Sequence, residues 1–455
     1  MDDRTARPGL KHSSATGAAT TARPAALTND VAPSIPPGST HRAHRLTAGR
    51  LASESRMSRH DAGASHPGQV SHPRVVPPIG SGIELKRDPR LDVMRGLALL
   101  MIFVDHIPRN LLSLVTMHNF GFCDAAELFV LIAGMSSMIA YGRLFQRRGA
   151  MGGLSRIARR LARIYAFQIG LLLITLAVVY LWTTHFGMPS LIVRPFFDDP
   201  FSGVLHGLAL HAVPTYLDIL PLYIALFAVF PLVYAGLRLS PSLTLAGSGA
   251  LWVAANMLPV LNVPNWMNGG HWFFNPAAWQ FLFTIGAALV VLADRYGGQL
   301  PRLSWLQWLC AAYLVFAFFQ SVPWTEWQLP PLNPLSIPPP DKTTLAPLRL
   351  VNILAVAYLA LSSDGFRVMA AWRVFRPIDL CGRHSLEVFA TGCVAALFGR
   401  LAFRTFGAGP ALQILVNAVG FAAMWSVAAY FEARKAAAAS RRRPTAEFSG
   451  SHSAR

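Results

Sequence analysis

Arg95, Asp105, His106 and Glu127 lie within two apolar stretches of residues 87–135, RDPRLDVMRGLALLMIFVDHIPRNLLSLVTMHNFGFCDAAELFVLIAGM. A histidine beside a carboxylate suits general-base chemistry, because its pKa lies near neutral and the acid stabilises the protonated ring. Arg95 and His106 are 106 − 95 = 11 residues apart. On a helix turning about 100° per residue they fall within roughly 20° of one face, about 16 Å apart along the axis. Arg109 follows Asp105 by four positions, the spacing of a helix-surface ion pair. Glu127 opens the second stretch, within reach of His106 if the two stretches are antiparallel. A structural ion-pair cluster tying two helices together uses the same residue types, and both readings stay open.

Further polar groups recur at apolar positions. Asp218 sits in TYLDILPLY; Asn275, Trp279 and Gln280 in FFNPAAWQFLF; Asp341, Lys342 and Arg349 in DKTTLAPLRLVN. His384 and Glu387, in CGRHSLEVF, are one helical turn apart, with Ser385 as a cap or hydrogen-bond donor. Together with Arg95 and Arg109 these are candidate substrate-binding residues.

The elements that must position them are membrane helices. The 455 residues are 53% hydrophobic and 14% charged, against about a quarter charged in a soluble domain. The expected fold class is all-α, a polytopic integral membrane helical bundle of about ten transmembrane helices. Ten apolar runs are long enough for a hydrocarbon core of about 30 Å: 91–112, 122–142, 164–186, 214–236, 242–261, 276–293, 305–322, 346–363, 384–402 and 410–431. An ionisable group inside such a run costs roughly 2.5–3.5 kcal/mol and is expected to face the protein interior. Residues 1–86, rich in Ala, Ser, Thr, Pro, Arg and His, and residues 433–455 read as disordered basic tails flanking a domain at 87–432.

The net charge of +18 would suggest nucleic acid in a soluble protein, but these arginines lie between apolar runs and in the tails. The segment RLFQRRGAMGGLSRIARRLARIY carries seven arginines and no acid. This bias predicts that both termini are cytoplasmic, with Arg400 and Arg404 as the main exceptions on the other side. Cys123, Cys310, Cys381 and Cys393 show no metal-ligand spacing, so neither a metal site nor a disulfide is expected. The predicted outer loops, FFDDP, VPNWMNGGHWFFNP and the run from Pro323 to Pro347, mix aromatics with amides. Such loops suit sugar rings, and they equally suit an interfacial aromatic belt.

Five segments in order, RDPRLDVMRGLALLMIFVDHIPRN, NFGFCDAAELFVLIAGM, FFNPAAWQFLF, DKTTLAPLRL and CGRHSLEVF, resemble the OpgC protein family from about Arg87 to Tyr430. The first helix, with its arginine, ten residues and a histidine, is also similar to the type-three membrane acyltransferases. Where those carry a Ser-Gly pair after the acid of helix two, this chain has Ala133. The resemblance implies an enzyme of the bacterial inner membrane, an O-acyltransferase acting on osmoregulated periplasmic glucans, with His106, Asp105 and Glu127 catalytic. The co-substrate it implies is an acyl-CoA, succinyl-CoA for succinyl transfer, with no tightly bound cofactor. Its phosphates would meet Arg95 and the arginines at 156–163, since arginine forks suit phosphate. The partners implied are the lipid bilayer and the glucan; a homo-oligomer or a glucan-synthesising complex stays open.

A transporter or export component for a small anion or glycan is the competing reading, because buried ionisable groups also line substrate pathways. The chain shows no second copy of VDHIP or AAELFV, which argues against a repeat-built transporter. A non-catalytic scaffold of a glucan-synthesising complex is a third reading.

Overall fold

The computed structural model describes residues 88–188, 193–333, 335 and 337–441. The expected N-terminal tail lies outside them, as do residues 442–455 of the C-terminal one. The described chain is mostly helical: α1 (Pro89–Asp105), α2 (Ala125–Ser137), α3 (Arg143–Phe186), α4 (Arg194–Asp198), α5 (Pro200–Leu208), α6 (Ile219–Leu239) and α7 (Pro241–Met257). A two-residue antiparallel pair, β1 (Pro264–Asn265) and β2 (Gly270–His271), precedes α8 (Pro276–Arg295). Then follow α9 (Ser304–Ser321), α10 (Pro347–Ser362), α11 (Asp364–Ala370), α12 (Arg376–Arg383), α13 (Ser385–Phe406) and α14 (Pro410–Ser440).

A helix coincides with each of the ten apolar runs, but fewer meet the length and apolarity needed to span a membrane. Among the described residues five candidate spans do so, or six if the pair α10 and α11, bent by 80°, is one broken span. Two local causes shorten or fuse the others. α1 stops at Asp105, well before residue 112, because Pro108 removes an N–H and disfavours helix in the residue before it. The chain beyond runs through short 3-10 turns. The arginine-rich segment after α2 is not a loop: a π turn at Met138–Gly142 leads directly into α3, which kinks at Gly149. Arg, Leu and Ala are strong helix formers, which accounts for the continuity. At the other end α14 runs to Ser440, past the boundary at 432 expected for the tail.

Burial follows the logic of a lipid-facing bundle. α14 buries Gln413 and Asn417 while exposing Ile414, Leu415 and Val419; Asn417 pairs with Asn110 at 2.9 Å. α9 buries Ala317 and exposes Trp305, Trp308, Leu309 and Val315. Polar groups inside and apolar ones outside satisfy the backbone and amides without water. α1 packs on α2, α12 and α13, and α2 on α8, around Phe103, Trp279 and Phe283.

The α2–α8 crossing depends on two reciprocal glycines. A Cβ at Gly134 would stand 2.0 Å from the Phe283 carbonyl oxygen, and one at Gly286 2.2 Å from that of Leu131. The obstructing atoms are backbone, so no side chain can yield, and small residues let the helix axes close. Gly134→Leu should therefore cost more than the roughly 1–3 kcal/mol of ordinary core overpacking. Detergent-solubilised variant protein is expected to lose its monodisperse elution peak and its cooperative melt, while a lipid-facing control such as Leu415→Ala keeps both.

Candidate active site

The C-terminal ends of α1 and α9 and the N-terminal ends of α2, α6 and α10 meet around one cavity of about 680 Å³. Helix N-termini carry partial positive charge and C-termini partial negative charge, so the three N-termini here are largely offset by the two C-termini.

One wall is an ion network. Asp124 caps α2, accepting from Ala126 N at 2.8 Å, while Glu127 accepts from Asp124 N at 3.0 Å. This reciprocal capping box fixes both carboxyls at the helix start. Arg349, in the first turn of α10, donates from Nε to Glu127 at 2.5 Å and approaches Asp124 at 3.1 Å; Lys342 Nζ lies 2.5 Å from Asp124. Burial opposes the Lys342 ammonium, but the Asp124 and Glu127 carboxylates outweigh it and raise its pKa above the ordinary lysine value. Lys342 is thus a fixed cation rather than a base. Its ammonium also sits 5.8 Å and 5.6 Å from the centroids of Phe273 and Phe274.

The approach to α10 is itself tied down. Asp341 accepts from Thr343 N, Thr344 N and Thr344 Oγ1, and these donors, against the opposing effect of burial, lower its pKa. Trp279 Nε1 reaches the carbonyls of Lys342 and Thr343 at 3.1 Å, and Asn275 N donates to Thr343 O at 3.0 Å. Trp252 Nε1 binds the carbonyl of Leu345, a buried residue at φ 54°. Trp279 and Asn275 therefore position the Lys342 loop rather than reach into this cavity.

Opposite stands His106, the residue after α1's last turn. Its Nδ1 is buried with no hydrogen-bond partner, so the expected pairing with Asp105 or Glu127 is not formed. Asp105 turns away to accept from Thr116 Oγ1 at 2.7 Å and lies 3.3 Å from His118 Nδ1; successive helix positions diverge by about 100°. Glu127 is taken up by Arg349 and the cap. The Asp105–Arg109 pair is absent too, since the helix has ended: Arg109 has φ 64° and bonds the Phe403 carbonyl. His106 is instead held by Arg400, whose Nη1 donates to the His106 carbonyl at 3.0 Å. The Arg400 guanidinium stacks 4.2 Å from the Tyr216 ring, which packs against His106 at 5.1 Å.

Asp218 Oδ1 and Gln320 Nε2 are also buried without partners, and both residues line the same cavity as His106. Buried polar atoms are normally paired. Among the described residues with such an atom, these three line one space.

The other expected site residues lie elsewhere. Arg95 pairs with Asp92 at 3.1 Å, contacts Ser136, and lines a separate cavity of about 440 Å³ with Arg90 and Arg143. That cavity shares no lining residue with the first, and Ser136 supplies there a hydroxyl that Ala133 does not. Gln280 bonds Ser248 Oγ and Ser248 O, tying α8 to α7. His384 pairs with Glu432 at 2.9 Å, and Glu387 with Arg163. Ser385 starts α13, and Arg400 is 400 − 385 = 15 residues on, so this cluster is roughly 22 Å along the helix from His106's support. Asp124, His118, Tyr216, Gln320 and Arg400 complete the site and were not singled out in sequence. Only Asp124 carried a usable signal, the Asp-x-x-Glu capping pattern.

Because Glu127 is fully buried, Arg349→Met leaves an unpaired carboxylate and should cost roughly 3–5 kcal/mol. The double variant Arg349→Met, Glu127→Leu is expected to regain most of that. Thermal melts of the four proteins in one detergent give the coupling directly; additive losses would show that the pair is not the buried contact described.

No curated protein and no solved structure matches the chain. A family model does, that of the OpgC protein, over residues 87–436. This span contains α1 to α14 up to residue 436, the ion network, His106 and both cavities, so the chain belongs to the OpgC protein family.

Proposed function

We propose that the protein is a membrane O-acyltransferase that moves an acyl group, succinyl in the first instance, from a cytoplasmic acyl-CoA to a hydroxyl of a periplasmic glucan. In this reading the ten helices at the apolar runs all contribute to a bundle in the inner membrane with both termini cytoplasmic. The carrying observation is the His106 cavity: a histidine with a partnerless ring nitrogen lines one space together with Lys342 and Arg349, both held in place by Asp124. Family membership supports the same direction.

His106 accepts the proton of the sugar hydroxyl as that oxygen attacks the thioester carbonyl. A C–O bond forms, the C–S bond breaks, and the proton passes on to the departing thiolate. Lys342 stands ready to stabilise the oxyanion or to meet the free carboxylate of a succinyl group. Arg95 and Arg143, at the other end of α1, suit the phosphates of the donor. The axial distance of about 16 Å between Arg95 and His106 is one that a pantetheine arm bridges. Asp105, oriented towards His118, takes no direct part in this proton transfer.

The test is His106→Ala in the native host, with membrane abundance checked in parallel. Extracted glucans are expected to lose their acid-bearing substituents, at least a hundredfold in rate for a missing general base. Unchanged glucan charge with normal protein abundance would remove the enzyme reading and favour transport or scaffolding.

A further inference from the structure

A second cleft of about 410 Å³ adjoins the His106 cavity, and the two share Thr215, Asp218 and Phe273. Its chemistry differs. The His106 cavity carries Lys342 and Arg349, whereas the cleft has no lysine or arginine among its described lining residues. It offers instead amides and hydroxyls, Asn256, Asn268, Asn275 and Thr344 among them. An anionic donor gains nothing there. Part of this set serves the protein itself, Asn268 Oδ1 and Asn275 Oδ1 accepting backbone N–H groups and Asn256 Nδ2 donating to carbonyls, and the amide ends left over suit the hydroxyls of a neutral ring.

The shared residues are suited to hold such a ring at the boundary. Asp218 occupies the N-cap position of α6 but makes no capping bond, and its Oδ1 is buried with no partner. An aspartate at that position usually caps its helix, so this oxygen lacks the partner the position normally provides. Phe273 is 47% exposed and set edge-on against Phe274 at 4.9 Å, which fixes an open aromatic face at the mouth of both spaces. Aromatic faces take the C–H side of sugar rings while carboxylates accept from adjacent hydroxyls.

We infer that this cleft is the acceptor subsite: it binds a neutral hexose unit, with Phe273 under the ring and Asp218 Oδ1 accepting from a hydroxyl next to the one presented to His106. This deepens the acyltransferase reading and rests on it for the direction of the reaction, but sugar binding itself does not require catalysis.

The experiment uses the full chain in lipid nanodiscs and a glucose tetrasaccharide as probe, with binding followed by saturation-transfer NMR and transfer by mass spectrometry. Asp218→Asn and Phe273→Ala are each expected to weaken tetrasaccharide binding, Asp218→Asn by roughly three- to tenfold because an amide oxygen is a weaker, uncharged acceptor. In transfer, the KM for tetrasaccharide should rise by a similar factor while the KM for acyl-CoA stays put. His106→Ala should bind the sugar as wild type does and fail to transfer. Wild-type binding of the sugar that neither cleft variant weakens would overturn the inference, as would a rise in the acyl-CoA KM alone. Transfer that survives His106→Ala, with sugar binding still lost in Asp218→Asn, would instead overturn the catalytic reading and leave the subsite standing.

Discussion

Everything around the His106 cavity depends on four charges that cancel. Asp124 and Glu127 sit on α2, Lys342 and Arg349 on and before α10, and each is largely removed from water. Desolvating a charge costs several kcal/mol, so the set is tolerable only if every member meets an opposite partner with good geometry. That requirement pins the start of α10 to the start of α2. It also explains why the preceding loop is held so heavily, by Trp279, Asn275 and Trp252 through the carbonyls of residues 342 to 345. A loop that drifted by an ångström would strand two carboxylates in a low-dielectric wall.

Once those charges satisfy one another, the uncommitted polar atoms become informative. His106, Asp218 and Gln320, each with a buried polar atom that has no partner, line one space. The network, two carboxylates against two cations, gives that space a rigid, charge-balanced side. By gripping the His106 carbonyl and stacking on Tyr216, Arg400 fixes the imidazole without pairing with it. Neither Asp105 nor Glu127 bonds that imidazole, since each is committed to other partners.

The fold was legible where periodicity and apolar length speak, since a helix falls on each apolar run. Whether each run crosses the membrane was not, because Pro108 and the π turn at Met138–Gly142 act locally and depend on how the chain continues. At the site, His106, Glu127, Lys342 and Arg349 stood out in sequence because charge in an apolar run is expensive. Their pairing did not follow from the sequence. Asp105 seemed the natural partner for its neighbour, yet adjacent helical residues point apart, and Glu127 goes to Arg349 some 349 − 127 = 222 positions away. Tyr216 and Gln320 carry no charge and no motif, so only tertiary packing reveals them. Arg400 stood out only as an arginine against the charge bias, a topological signal that does not mark its contact with the His106 carbonyl.

The most direct measurement is a cryo-EM structure of the full chain in nanodiscs with a non-hydrolysable thioether of succinyl-CoA. The account places the succinyl group in the His106 cavity beside Lys342, with the nucleotide phosphates near Arg95 and Arg143. Density for the succinyl group away from His106, with that cavity filled by side chains or lipid, would contradict it.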